Sequence, residues 1–332
     1  MGIRGLRLAR LIGVPACAAL TVLNAPAWAL DAEADVEVGA FLGYSLHHAD
    51  GDDGLGTENN SSRWHLGGTL QTEGLEVFGY SERGIAVDED DAEPNREAFG
   101  GVAGRYGRLT VGRQSTGYKR AGVALDPFYD TTRSGAAGRL SGAGPSYGLS
   151  ALTDGSAPGT VSYESPVFSG LQVSAASYVD DGEAQDHDYG VGARYVTGDA
   201  RLSAGLQYLD LSGGVVPGAG GTGSALRVYG GWDGGRWSLG GSGEYLDLDG
   251  RAEAERYYYI ATSYALRERL RLAASFGRTD ETIATGKAAS LGAFYRPLDQ
   301  VVLYAAANRL WLDDDERLSF ALGGSFSFSR VF

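Results

Sequence analysis

A transmembrane antiparallel β-barrel of about sixteen strands is the fold class this chain predicts, and three observations predict it. Residues 317–332 alternate with period 2. Leu318, Phe320, Leu322, Phe326, Phe328 and Phe332 fall on one face, and Ser319, Ala321, Ser325, Ser327 and Ser329 on the other. The stretch exceeds the roughly five or six residues of a common soluble strand and suffices for the roughly nine to eleven that a tilted strand needs to cross hydrocarbon. The N-terminus carries an export signal. Finally, the connections between alternating stretches are short and long in turn, as in an outer-membrane-type barrel.

The elements follow in chain order. Arg4, Arg7 and Arg10 precede an apolar run from Leu11 to Leu23, and Ala27-Trp28-Ala29 supplies small residues for cleavage. Residues 1–29 are expected to be removed, leaving residues 30–332. Val14-Pro15-Ala16-Cys17 fits a lipoprotein box badly, because of the proline and the apolar sequence beyond. The mature chain then has no cysteine, which excludes disulfide and thiol chemistry. Its net charge moves from −14 to −17 as the three arginines leave, and a nucleic-acid binder, which needs basic patches, is excluded. Past the signal no apolar run is long enough for a membrane-spanning helix.

From Asp35 onward, strands separated by short connections near Glu73-Gly74, Gly107, 166–169, Gly198-Asp199, Gly234-Gly235, Arg267-Glu268 and Pro297-Leu298 alternate with long connections at 49–61, 85–95, 115–159, 180–186, 211–223, 247–254, 280–286 and 313–316. In 63–71 the outward set is Trp64, Leu66, Gly68 and Leu70, against Arg63, His65, Gly67, Thr69 and Gln71. In 200–210 it is Leu202, Ala204, Leu206 and Tyr208. In 236–245 it is Trp237, Leu239, Gly241, Gly243 and Tyr245. Apolar-out and polar-in reverses a soluble barrel, which fills its interior with branched apolar side chains, and predicts a wet lumen. Stretches 75–82 and 256–266 are aromatic on both faces, so their orientation stays open.

The connection 115–159 is far too long for an ordinary loop, and it contains Leu125-Asp126-Pro127-Phe128-Tyr129-Asp130. Together with Leu109-Thr110-Val111-Gly112-Arg113-Gln114, Val161-Ser162-Tyr163-Glu164-Ser165-Pro166, Phe168-Ser169-Gly170-Leu171, Tyr264-Ala265-Leu266-Arg267-Glu268-Arg269 and the terminal Phe332, it resembles the trimeric general porins of Gram-negative outer membranes. The resemblance spans nearly the whole mature chain. It implies an outer-membrane channel for passive diffusion of ions and small hydrophilic solutes, built as a homotrimer in contact with lipopolysaccharide and assembled through Phe332. It also implies that 115–159 folds inward as a constriction loop, with Asp126 and Asp130 facing wall arginines Arg63, Arg105, Arg113 and Arg194. Charged groups at a narrow point set ion preference. Parity supports Arg63 and Arg194 as lumenal, whereas Arg113 shares parity with Leu109 and Val111. Lys119 and Arg120 depart from a purely acidic loop, and Arg330 stands where the family has an apolar residue.

Bland explanations stand beside these. Asp126 and Asp130 fit ordinary turn residues that cap backbone amides. The acidic runs 50–53, 88–91, 180–188 and 313–316 fit solvated loops, though calcium bridging lipopolysaccharide is open to oxygen-rich loops. No cofactor is expected. His47, His48, His65 and His187 form no hydrolase constellation with a serine, so an enzyme is not expected. An acidic mouth favours cations weakly. A substrate-specific sugar or anion channel, or a barrel acting as an adhesin or anchor, are the rival readings.

Overall fold

The computed structural model describes residues 32–50, 54–86, 95–131, 147–180, 187–280, 285–312 and 315–332. The predicted signal peptide lies outside the described residues, as do 51–53, 87–94, 181–186 and 313–314, which hold most of the acidic runs. Seventeen strand segments form a single sheet. They are β1 (Glu33–Ala49), β2 (Gly56–Asn59), β3 (Arg63–Thr72), β4 (Leu75–Gly84), β5 (Glu97–Gly104), β6 (Gly107–Gln114), β7 (Ala157–Glu164), β8 (Leu171–Val179) and β9 (His187–Val196). There follow β10 (Leu202–Asp210), β11 (Gly223–Asp233), β12 (Trp237–Leu248), β13 (Glu255–Arg267), β14 (Leu270–Asp280), β15 (Thr285–Leu298), β16 (Val301–Leu312) and β17 (Asp315–Val331).

Every neighbour pairs antiparallel, and β17 returns to β1, so the sheet closes with no free edge. The seam runs from Glu37↔Val331 to Ala49↔Ser319. Its end is fastened by the last residue: Phe332 N donates to Val36 O at 2.9 Å and Val36 N donates to Phe332 O at 3.1 Å. Segments β2 and β3 both pair with β1 and act as one stave, interrupted at 60–62, where Ser61 has φ +62°. The barrel therefore has sixteen staves.

Burial follows the predicted period. Leu202, Leu206, Leu239, Phe320, Leu322, Phe326 and Phe328 are exposed on the outer face. Near the short turns that face ends in Tyr163, Phe168, Tyr195, Trp232, Trp237 and Tyr295, an aromatic girdle of the kind found at a membrane interface. The two stretches left open resolve cleanly. In β4 Phe78 is buried while Leu75 and Val77 face out; in β13 Tyr257, Tyr259 and Ala261 are buried while Tyr258 and Ile260 face out. The last short turn lies at Asp299–Gln300 instead of Pro297-Leu298, because the register of β15 on β16 shifts between Tyr295 and Leu298 and absorbs the proline inside the strand.

The wet-lumen expectation needs one correction. Residues 211–222 double back on the chain, held by the buried Asp188 carboxylate. It accepts amide N–H bonds from Gly213, Val215 and Val216, each at 2.7 Å. Leu211, Val216 and Ala219 thereby join Tyr118, Leu152, Leu246, Leu248 and Tyr257 in a buried apolar cluster. Inward strand ends near the long loops are dry on this side because another loop covers them.

Candidate functional site

The segment after β6 starts with Thr116, whose hydroxyl accepts the Lys119 N–H at 2.9 Å and opens helix α1 (Gly117–Val123). Tyr118 of α1 hydrogen-bonds through its hydroxyl to Glu244 of β12 at 2.9 Å. Arg227, paired directly opposite Glu244 on β11, meets that carboxylate at 2.8 Å, and both side chains are 0% exposed. The guanidinium also donates to the Tyr118 carbonyl and, at 2.6 Å, to Thr153 Oγ1, and it lies 4.1 Å over the Tyr118 ring. Ser150 N donates to Glu244 at 3.2 Å. Both limbs of the 115–156 segment are thus bound to one buried ion pair on the wall. Burial, with the Glu244 charge beside it, pushes the Tyr118 phenol well above its ordinary value, so it remains a neutral donor. Lys119 Nζ ties the limbs together through Gly155 O at 2.9 Å.

Farther on, the chain crosses small inward residues. Leu125 rests against Gly240, Phe128 against Gly292, and the Tyr147–Gly148 backbone against Gly277. A Cβ at Gly277 would occupy the place of the Tyr147 carbonyl, so this position admits no side chain while the return limb stays where it is. Asp126 is buried. Its Oδ1 accepts the Phe128 N–H at 2.9 Å and the Tyr259 hydroxyl at 2.7 Å, which fastens the turn to β13. Asp130, with φ +61°, reaches β3 and meets Arg63 at 2.8 Å. Arg63 lies 3.5 Å from Glu82, and Glu82 meets Arg96 at 2.7 Å. Burial, followed by the charges of Asp130 and Asp154, pushes the Tyr129 phenol far upward, so it too stays neutral at this junction.

The predicted residues therefore separate. Arg63 and Asp130 come together. Asp126 serves the loop's own attachment, the turn-capping role that its residue type also fits. Arg113 pairs with Ala98 and donates to the Arg96 carbonyl at 3.2 Å, beside Gly112 at φ +130°. Arg194 stands on β9 at the edge of a separate compartment under α1. Arg105 is not brought to this group: it lies in the short turn between β5 and β6, with its guanidinium 4.4 Å over the Tyr106 ring. Sequence reasoning passed over Arg96, Glu82 and Arg227. Opposite charges at facing inward positions, Arg227 and Glu244, were the available signal; Arg96 precedes its strand and carries no parity.

A model of the Gram-negative porin family matches residues 16–315. This chain belongs to the Gram-negative porin family. Its place is the outer membrane, where such barrels form channels. Solved porin structures agree on the fold. The anion-selective porin of Comamonas acidovorans is 18% identical, with a TM-score of 0.74 over 89% of this chain and 100% of the other. In vitro-folded OmpT of Vibrio cholerae, in its trimer form, is 16% identical with a TM-score of 0.66, over 89% and 99%. The outer membrane channel DcaP of Acinetobacter baumannii is 14% identical with a TM-score of 0.65, over 89% and 98%. No curated protein matches the sequence. In this porin the inner wall from β3 to β5 keeps its polar and aromatic side chains: the rings of His65 and Tyr80 lie 5.4 Å apart, those of Tyr80 and Phe99 5.2 Å.

Proposed function

We propose that the barrel is a water-filled pore through which ions and small hydrophilic solutes diffuse passively, without catalysis or cofactor. The observation that carries this reading is the junction of Asp130, Arg63, Glu82 and Arg96, where the 115–131 segment meets the wall in charged side chains instead of apolar packing. Charge at such a junction belongs beside water. The constriction is bounded by Asp130 and the wall arginines Arg63, Arg96 and Arg113, with Asp126 holding the loop and Arg194 below it. Weak cation preference follows from the mature charge of −17 and the acidic long loops, which raise local cation concentration within a Debye length of about 8–10 Å.

A homotrimer is the assembly we infer, in keeping with the trimer form of the Vibrio cholerae relative. Contact with lipopolysaccharide, bridged by calcium at the acidic loops, and recognition of Phe332 by the barrel-assembly machinery complete the proposal. Single-channel recording in a planar bilayer with a tenfold KCl gradient tests it. Conductance steps in threes, with a reversal potential of cationic sign, are expected. Folded protein without current would remove the pore reading in favour of an anchor.

A further inference from the structure

Below α1, toward the short-turn end, the lumen holds a compartment of about 680 Å³. Four guanidinium groups line it: Arg120, Arg194, Arg201 and Arg271. Three carboxylates line it too, but each is engaged. Glu164 pairs with Arg120 at 2.6 Å, Asp126 accepts the Phe128 amide and Tyr259 hydroxyl, and Asp233 accepts the Gly235 amide at 2.7 Å. The arginines are not balanced in return. Among the described residues the Arg194 guanidinium makes no hydrogen bond or ion pair. Arg271 donates to the neutral Ser263 hydroxyl at 3.2 Å and lies 4.5 Å over the Phe294 ring. Arg201 approaches Asp199 at 3.9 Å, with both side chains more than half in solvent, a geometry that binds weakly. Between the cations lie apolar surfaces from Ala121, Leu125 and Pro127 of the loop and Ala261 of the wall.

We propose that this compartment is a binding site for small organic dianions, molecules that carry two carboxylates on a short hydrocarbon body. The guanidinium fork matches a carboxylate in two parallel hydrogen bonds. Partial enclosure strengthens that attraction relative to open water, and the apolar patches receive the hydrocarbon that a compact inorganic anion lacks. The site rests on the pore reading for its access from both ends, and it is compatible with a weakly cationic current, because retention of a dianion and the passage of small ions are separate quantities.

The full-length protein in a planar bilayer, exposed to succinate from one side at a time, tests the site. Succinate from the short-turn side is expected to interrupt the current at a concentration at least tenfold lower than from the long-loop side. Succinamide should do nothing, and phosphate should be at least fivefold weaker. Replacing both Arg194→Gln and Arg271→Gln should raise the half-blocking concentration at least tenfold. Arg194→Lys, which keeps charge but loses the fork, should fall between. Arg317→Gln at the opposite end should leave block unchanged. Normal KCl steps with no succinate block would overturn the site, and equal block by phosphate would overturn its assignment to carboxylates. Calorimetric titration of the detergent-folded protein with succinate separates the two readings. Heat without KCl current would remove the pore and keep the site, and absence of heat would remove the site.

Discussion

The two halves of the inner wall are built to different ends. From β12 to β17 the loop meets many small inward residues, Gly240, Ala261, Ala273, Gly277, Ala288, Gly292 and Ala321, set among the larger Glu244, Tyr259 and Phe294 that fasten it. From β3 to β9 the inward positions carry Arg63, His65, Glu76, Tyr80, Glu82, Phe99, Arg108 and Arg194. Both halves show the same alternation and the same apolar outer face, so both cross the membrane alike. The identity of the inward residue decides what the wall holds. Small residues let a backbone approach and bury polar and apolar groups against it. Long charged residues keep their heads in water and stay available to solutes.

The largest effect on this contrast is expected from Glu244→Ala. It leaves Arg227 charged and fully buried without its carboxylate, a loss of about 3–5 kcal/mol for a buried pair broken on one side. The cost falls on the loop attachment, since the barrel's backbone ladder is untouched. Faster proteolysis within 115–156 and noisier channel current are expected, with heat-modifiable gel migration unchanged. Loss of that migration would mean that the pair supports the barrel itself. Next comes Gly277→Val, whose side chain displaces the Tyr147–Gly148 backbone at a cost of about 1–3 kcal/mol for overpacking. Single-channel conductance should change, and an unchanged value would show that the return limb does not border the pore.

Arg63→Gln acts on the other half. The Arg63–Asp130 pair is partly exposed, at 20% and 14%, so its loss should cost no more than about 1 kcal/mol. Its effect should appear in selectivity: with Asp130 no longer neutralised, the reversal potential should move in the cationic direction. A shift the other way would remove Asp130 from the pore lining. Arg330→Phe is expected to do least. Arg330 is exposed, with its guanidinium 4.9 Å over the Phe332 ring, and equilibrium stability should stay within about 0.5 kcal/mol. The rate of assembly into the membrane is the sensitive readout.

Legibility differed between these halves as well. The charged wall was partly visible, because Arg63 and Arg194 sit at inward parity inside clear strands. The loop's seat was not visible, because glycine and alanine mark an inward position no differently from an outward one. Asp126 shows the same limit. Its residue type fits both a pore acid and a turn cap, and the choice depended on Tyr259, which lies 133 residues away in the chain.

From sequence alone came sixteen staves, the facing of most of them, a terminal strand long enough to cross a membrane and the unusual length of the 115–159 connection. All of these are local: period 2 needs only neighbouring residues, and short turns need only two or three. Tertiary structure alone decided which wall the loop occupies, which acid meets Arg63, that Arg105 stays in a turn, and that part of the lumen is dry. Those outcomes depend on contacts such as Tyr118 with Glu244, which come within hydrogen-bonding distance only after the barrel closes. The pairing energy is then set by burial and partners that no linear pattern records.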